Sequence, residues 1–285
     1  MAGVRELKKH LKSIKSIGQL AGAMKTVSTA KYSRINALNT DYAEYARECG
    51  RILDRFGTEA SFPERPEETA GRTCLVVMCG NRGLCGSYNS DTMARFAQIL
   101  GQETGALVVT CGRMAALYCH DKRIPTEREF MFEDIPSFAD AQQLSQYLCG
   151  LYRSGEADKI IIVRQKFKNM LTQIPTDEVF LPGGSAAEED GGILYLPDRE
   201  TIVRRVIFEC LDAKIYSLLL ECAAGAQAAT LMAMRSAFDN SKTTASELET
   251  KINRIRQGEV TADVIEISYD RSEEEDFASG GQSAE

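Results

Sequence analysis

The chain has 285 residues, 44% of them hydrophobic, and a formal net charge of −7. That is enough apolar material for one large domain or two ordinary ones, and the acidic balance argues against a general nucleic-acid binder. Nine cysteines, an odd number scattered through apolar surroundings, point to reduced intracellular thiols and not to a disulfide framework. Cys74, Cys79 and Cys85 lack the paired spacing of a zinc site, and only His10 and His120 could help, so no metal site is expected. The opening residues, MAGVRELKKHLKS, hold no apolar core of signal-peptide type and no run of 18 apolar residues occurs. The expectation is a chain that is neither exported nor membrane-spanning.

All seven prolines lie between residues 63 and 197, which leaves both ends free for long helices. Residues 1–60 place Val4, Leu7, Leu11, Ile14, Ile17, Leu20, Met24, Val27, Ile35 and Leu38 at spacings that suit a helix with coiled-coil character. Gly18 and Gly22 weaken that helix by roughly 1 kcal/mol each, so packing against a partner must hold it. Over residues 1–34, Arg5, Lys8, Lys9, Lys12, Lys15, Lys25, Lys31 and Arg34 face only Glu6. With no aromatic before Tyr32 to stack on bases or anchor in lipid, this basic face suits an acidic protein partner.

Residues 72–182 change character. Short β-rich runs at 74–79, 106–111 and 159–167 alternate with helical stretches near 88–103, 112–120 and 137–154, which predicts an α/β domain with a largely parallel sheet. An edge strand is expected at 172–182 and a loop at 183–192.

After the first strand comes CGNRGLCGS, residues 79–87, where a glycine-rich turn ahead of a helix could cradle phosphate. The P-loop pattern fails because Ser87 follows Gly86 where lysine is needed. The dinucleotide fingerprint fails because the glycines fall at 80, 83 and 86. A structural turn built from Gly80, Arg82, Gly83, Leu84, Cys85 and Gly86 is the default reading, with no catalytic or cofactor-binding residues.

Residues 198–270 begin with Ile202, Val206, Leu211, Ile215, Leu218 and Leu219 and then turn alanine-rich, so a second backbone can approach closely. Helices of this length would extend about 80 Å and 100 Å at 1.5 Å per residue, against a domain width of about 35 Å. They should therefore run antiparallel as a coiled coil joined to a central Rossmann-like α/β domain, with residues 252–268 of the longer helix standing alone. The acidic segment 271–285 has the composition of a disordered tail.

Three blocks carry a resemblance along nearly the whole chain: HLKSIKSIGQLAGAMKTVSTAKYSR, GNRGLCGSYN and NRIRQGEVTADVIEI. Together they resemble the gamma subunits of F-type ATP synthases. The resemblance implies a rotor that turns inside a ring of three alpha and three beta subunits and stands on the membrane's c-ring beside epsilon. It would couple ion flow to ATP synthesis or hydrolysis on the beta subunits, and hold no cofactor of its own. It also implies contacts to the beta subunits, which present acidic loops to the shaft, from Met24, Lys31, Asn253, Arg256, Gln257 and Thr261. Contacts to the c-ring are implied for Ile193, Tyr195 and Leu196. In the resembling family the turn binds no nucleotide. The implied location is peripheral, on the cytoplasmic face of a bacterial cell membrane, with no nucleic acid involved.

The chain departs from the family pattern in several places: Ala21-Gly22 replace Thr-Lys, Asn81 replaces Asp, Leu196 replaces an acid, Gly225-Ala226 replace Ser-Glu, and Thr230 replaces Arg. Polar contacts to beta subunits and c-ring should be thinner than usual. Two other readings compete: a coiled-coil scaffold with an α/β head that does not rotate, and a Rossmann-like enzyme with helical arms. The second lacks a nucleophile paired with a base.

Overall fold

The computed structural model describes residues 2–57, 65–66, 69–183, 196 and 198–280. In chain order the elements are α1 (Ala2–Phe56), β1 (Thr73–Met78), α2 (Tyr88–Leu100), β2 (Leu107–Cys111), α3 (Arg113–Asp121), β3 (Arg128–Phe130), α4 (Phe138–Arg153), β4 (Lys159–Asn169), β5 (Thr172–Leu181) and α5 (Arg199–Gly280). Two compact units result, one of residues 24–234 and one that joins residues 1–23 to 235–285. The division differs from the one expected at 60, 72, 182 and 198, because the inner parts of both terminal helices belong to the core of the α/β unit.

In the unit of residues 24–234 the five strands form one sheet in the order β3-β2-β1-β4-β5. β1 runs parallel to β2 and β4, β2 runs parallel to β3, and β5 closes the edge antiparallel to β4. Successive residues of a strand point to opposite faces, and both faces of β1 are covered. Cys74, Val76 and Met78 join a core with Leu144 and Leu148 of α4, Cys49 and Leu53 of α1, and Ile207, Leu211 and Ile215 of α5. Leu75 and Val77 join a second core with Met93 and Phe96 of α2 and Ala115 of α3. Burial on both sides is why the strand reads as an unbroken apolar run and not as an alternating one. α4 starts with a capping box: Ser137 Oγ accepts from the Asp140 N–H at 3.2 Å, and Asp140 Oδ2 accepts from the Ser137 N–H at 2.8 Å.

The two terminal helices run antiparallel in this unit. Ile35 packs with Leu220 and Ala224, and the rings of Tyr42 and Tyr216 meet edge to face at 4.9 Å. α5 holds a stretch apolar enough to match a membrane-crossing helix by composition, but half of that stretch is buried inside the protein. Its apolarity is that of a core helix.

The unit of residues 1–23 and 235–285 is also an antiparallel helix pair. Lys15 meets Glu249 at 2.6 Å, and Gly22 lies so near Phe238 that an added Cβ would stand 3.3 Å from its ring. An added Cβ on Gly18 would come within 2.5 Å of Ser241 Oγ. The absence of side chains at Gly18 and Gly22 lets α5 approach.

The seam along α1 differs from the expected stripe. Val4, Leu7, Leu11 and Ile14 are half-buried, and the burial continues through Gly18, Ala21, Ser28 and Ile35. Ile17, Leu20 and Val27 are each more than half exposed. Small residues took the inner positions because they let the backbones come close, so the large ones form a second stripe on the outside.

The partner of α5 also reaches further than expected. Ile252 is 8% exposed and Ile255 is half-buried, so the unpaired stretch does not begin at 252. Every described side chain from Arg256 to Ile265 is exposed. The helical backbone continues through Gly280, into the acidic segment expected to lack structure, and no proline lies in that segment to stop it. β3 was not foreseen at all.

One glycine tests the packing of the strand ends. Gly112 has φ 93°, and a Cβ there would lie 2.2 Å from the Cys79 carbonyl oxygen. Gly112→Ala is expected to destabilise the protein by about 2–4 kcal/mol, measured by denaturant unfolding. A loss under about 0.5 kcal/mol, the size of an ordinary surface change, would contradict this geometry.

Candidate functional site

The strand order reverses beside β1, since the chain passes from β1 to β2 on one side and later returns to β4 on the other. A ligand crevice commonly opens at such a point, at the carboxyl ends of the strands. The turn at 79–87 occupies that place, and its polar groups are already used. The Gly80 N–H donates to Asn89 Oδ1 at 3.0 Å. Asn89 Nδ2 donates to the Arg82 carbonyl at 3.0 Å and to Cys85 Sγ at 3.1 Å. Asn81 Nδ2 donates to the Phe132 carbonyl at 2.7 Å, while its Oδ1 accepts the Arg113 N–H at the start of α3. An ionised aspartate at 81 would have no proton for the Phe132 carbonyl.

α5 fills what remains of the crevice. A Cβ on Gly80 would touch Ala226 at 3.4 Å, and the Tyr88 hydroxyl donates to the Cys222 carbonyl at 2.9 Å. The cavity left between the turn and α5 is about 60 Å³, whereas ligand pockets run to roughly 300–1,000 Å³. There is room for a water or two, not for a nucleotide. Burial pushes the nearby Cys222 thiol up to about 12, against the opposing charge of Arg164. All nine cysteines are free.

Beside the turn lies an open groove of about 890 Å³, lined by Lys31 and Arg34 of α1, Arg82 of the turn and Arg113 of α3, with Glu133 and Asp134 on its floor. Asp134 pairs with Lys31 and stands 3.4 Å from Arg82 Nη2. Burial opposes its ionisation, but the Lys31 hydrogen bond and the charges of Lys31 and Arg82 outweigh that and hold its carboxyl below the usual value. Two cations share one carboxylate, so the groove keeps a positive excess.

Sequence reasoning placed Lys31 on the shaft and Arg82 inside a structural turn; one acid brings them together. Arg82 and Leu84 both point outward. Within the turn Leu84 has φ 62° and Gly86 φ 61°, Cys85 is buried, and Gly83 has open space around it. Missed altogether were Arg113 and Asp134, which lie far from Lys31 in sequence and whose proximity no local pattern could reveal. Met24 is half-buried on α1, while Asn253, Arg256, Gln257 and Thr261 are exposed on α5. Thr261 Oγ1 is turned back to the Gln257 carbonyl at 2.8 Å. Leu196 is 73% exposed, which places it outside the core. Ile193 and Tyr195 lie outside the described residues, as does the expected loop from 184 on.

A fold that spends its ligand crevice on its own last helix, and pairs that helix antiparallel with its first, is of the kind found in ATP synthase central stalks. The chain resembles one in the OSCP/F1/c-ring assembly of the Euglena gracilis mitochondrial ATP synthase with a TM-score of 0.70 at 18% identity, over 100% of this chain and 97% of that one. A Euglena gracilis rotor chain gives a TM-score of 0.63 at 17% identity, over 91% and 99% of the two chains. The family model described as ATP synthase matches residues 3–269. The ATP synthase gamma chain of Rubrobacter xylanophilus is 30% identical over 282 residues, covering 94% of this chain and 97% of that one. That of Desulforudis audaxviator is 29% identical over 288 residues, with the same coverage. The chain belongs to the ATP synthase gamma chain family.

The Asp134 pair has a pH signature. A carboxyl with a depressed folded-state pKa contributes stability that is fully present above its unfolded value and lost as pH falls through the folded one. Asp134→Asn is expected to cost about 1 kcal/mol at neutral pH, with the difference from the native chain shrinking below about pH 4. Unfolding curves over a pH series would measure it. A difference that stays constant to pH 2 would contradict the assignment.

Proposed function

We propose that this chain is the central rotor stalk of an F-type ATP synthase, coupling c-ring rotation to ATP synthesis or hydrolysis on the beta subunits. The observation that carries the reading is α5, one unbroken helix of 82 residues. It packs into the α/β core with its first part and continues as the partner of α1, giving torque a covalent path. The chain supplies no catalytic group and needs no cofactor in this reading. Nucleotide chemistry belongs to its partners.

Those partners are three alpha and three beta subunits around the helices, with epsilon and the c-ring at the α/β domain. The groove of Lys31, Arg34, Arg82 and Arg113 suits an acidic loop of a beta subunit, because its cations outnumber its acids. On α1, Ile17, Leu20, Met24 and Val27 follow a three-four-three spacing that gives a ring of subunits a smooth apolar surface. Arg256 and Gln257, both exposed, offer fixed donors to loops that grip the rotor. Leu196 would meet the c-ring with Ile193 and Tyr195, through an apolar contact where the family has an acid. Placement on the cytoplasmic face of a bacterial cell membrane, peripheral and held only through the c-ring, follows from this assembly.

Purification from membranes through a tag on this chain tests the reading: alpha and beta ATPase subunits are expected with it, and their absence would sink the rotor in favour of a static scaffold. A finer test is Met24→Lys, which adds a charge to a surface that must slip. Ions pumped per ATP hydrolysed are expected to fall at least twofold while unisite hydrolysis survives. An unchanged ratio would remove Met24 from the interface.

A further inference from the structure

α5 is bound to the α/β domain in two different ways. Most of its contacts are apolar, through Ile207, Leu211, Ile215, Leu218 and Leu219 in the main core. Apolar burial resists separation but has no direction, so by itself it allows a helix to turn slightly in its bed. Polar contacts interrupt that bed: Asp212 hydrogen-bonds to Ser145 and Gln142 of α4, and a linked set of polar contacts lies where α5 meets β4. β1 accompanies β4 only as far as Val163, and beyond it β4 has β5 alone beside it. There Glu221 of α5 meets the strand.

Both oxygens of the Glu221 carboxylate are used. Oε2 takes Arg164 Nη1 at 2.8 Å, and Oε1 accepts the Phe167 backbone N–H at 2.7 Å. The Arg164 side chain is only 5% exposed and also faces Glu178 of β5 at 3.5 Å. One residue along α5, the Cys222 carbonyl accepts from the Tyr88 hydroxyl, and the Tyr88 carbonyl in turn accepts from Gln165 Nε2 at 3.2 Å. Since Gln165 follows Arg164 and Cys222 follows Glu221, the contacts close into a ring through α5, β4 and α2.

Charge-assisted hydrogen bonds are short and directional, and the buried Arg164 guanidinium, parted from Glu221, would keep only the longer contact to Glu178. Turning α5 against the domain would break this ring before it exposed any apolar surface. A buried ion pair adds little net stability over an apolar pair of the same size, so the ring is not needed to keep the helix in place. It fixes the helix's angle. We propose that Glu221, held by Arg164 and the Phe167 N–H, is the positioning residue through which the α/β domain turns α5. The proposal rests on the rotor reading above.

The test uses the assembled complex with the alpha and beta subunits fixed and a probe on the α/β domain. Glu221→Gln keeps an acceptor for Phe167 but loses the charge. It is expected to broaden the probe's angular fluctuation at rest at least twofold and to lower ions pumped per ATP at least twofold, while hydrolysis by the complex detached from the membrane is unchanged. The double variant Glu221→Met with Arg164→Met replaces the ion pair by apolar side chains of similar length and leaves the 35% exposed Glu178 side chain to solvent. It is expected to assemble at the native level and still be loose. A purely structural ring would give this well-assembled double variant native stiffness and native pumping, and that result, or native stiffness in Glu221→Gln, would overturn the proposal. Failure of the rotor reading shows separately, because the unsubstituted chain would then fail to assemble or turn.

Discussion

The close approach of α5 to the turn after β1 sets most of what surrounds it. Gly225 has no side chain, and a Cβ there would stand 3.0 Å from the Tyr88 ring. That space lets Tyr88 reach the Cys222 carbonyl, which fixes the first residue of α2. Asn89 comes next and holds the Gly80 N–H and the Arg82 carbonyl. Arg82 is thereby carried to Asp134, and Asp134 to Lys31 of α1. A single small residue in a helix thus bears on the shape of the turn, the groove beside it and the grip on the first helix. A larger residue at 225 would meet the Tyr88 ring directly.

The same approach decides what the α/β domain can do. A sheet with this strand order offers a crevice and a helix start, both well suited to phosphate. Here the crevice holds Ala226 and Cys222, and the Gly80 N–H is already bonded to Asn89 at the start of α2. What is left is surface: a basic groove, an outer apolar stripe on α1 and an exposed face on the far part of α5. Such features suit the contact with other chains that the rotor reading proposes.

Much of this was legible in the sequence, and for physical reasons. The long helices showed as stretches without proline, and the three central strands showed because burial on both faces makes them continuously apolar. β3 did not show, since only Phe130 of its three residues is buried and so short a run carries no period. The seam of α1 does not follow residue size. Where backbones approach closely, Gly18, Ala21 and Ser28 go inside and Ile17, Leu20 and Val27 stay out. Long-range pairs were invisible as well. Nothing near Lys31 tells of Asp134, and nothing near Glu221 tells of Arg164, because these meetings are made by the topology of the sheet and the path of α5.

The most direct measurement of the central claim is to watch single complexes with alpha and beta held to a surface and a probe on the α/β domain of this chain. With ATP supplied, the account predicts rotation in one direction with three equal steps per turn, one for each beta subunit. Hydrolysis at full rate with the probe standing still would contradict it.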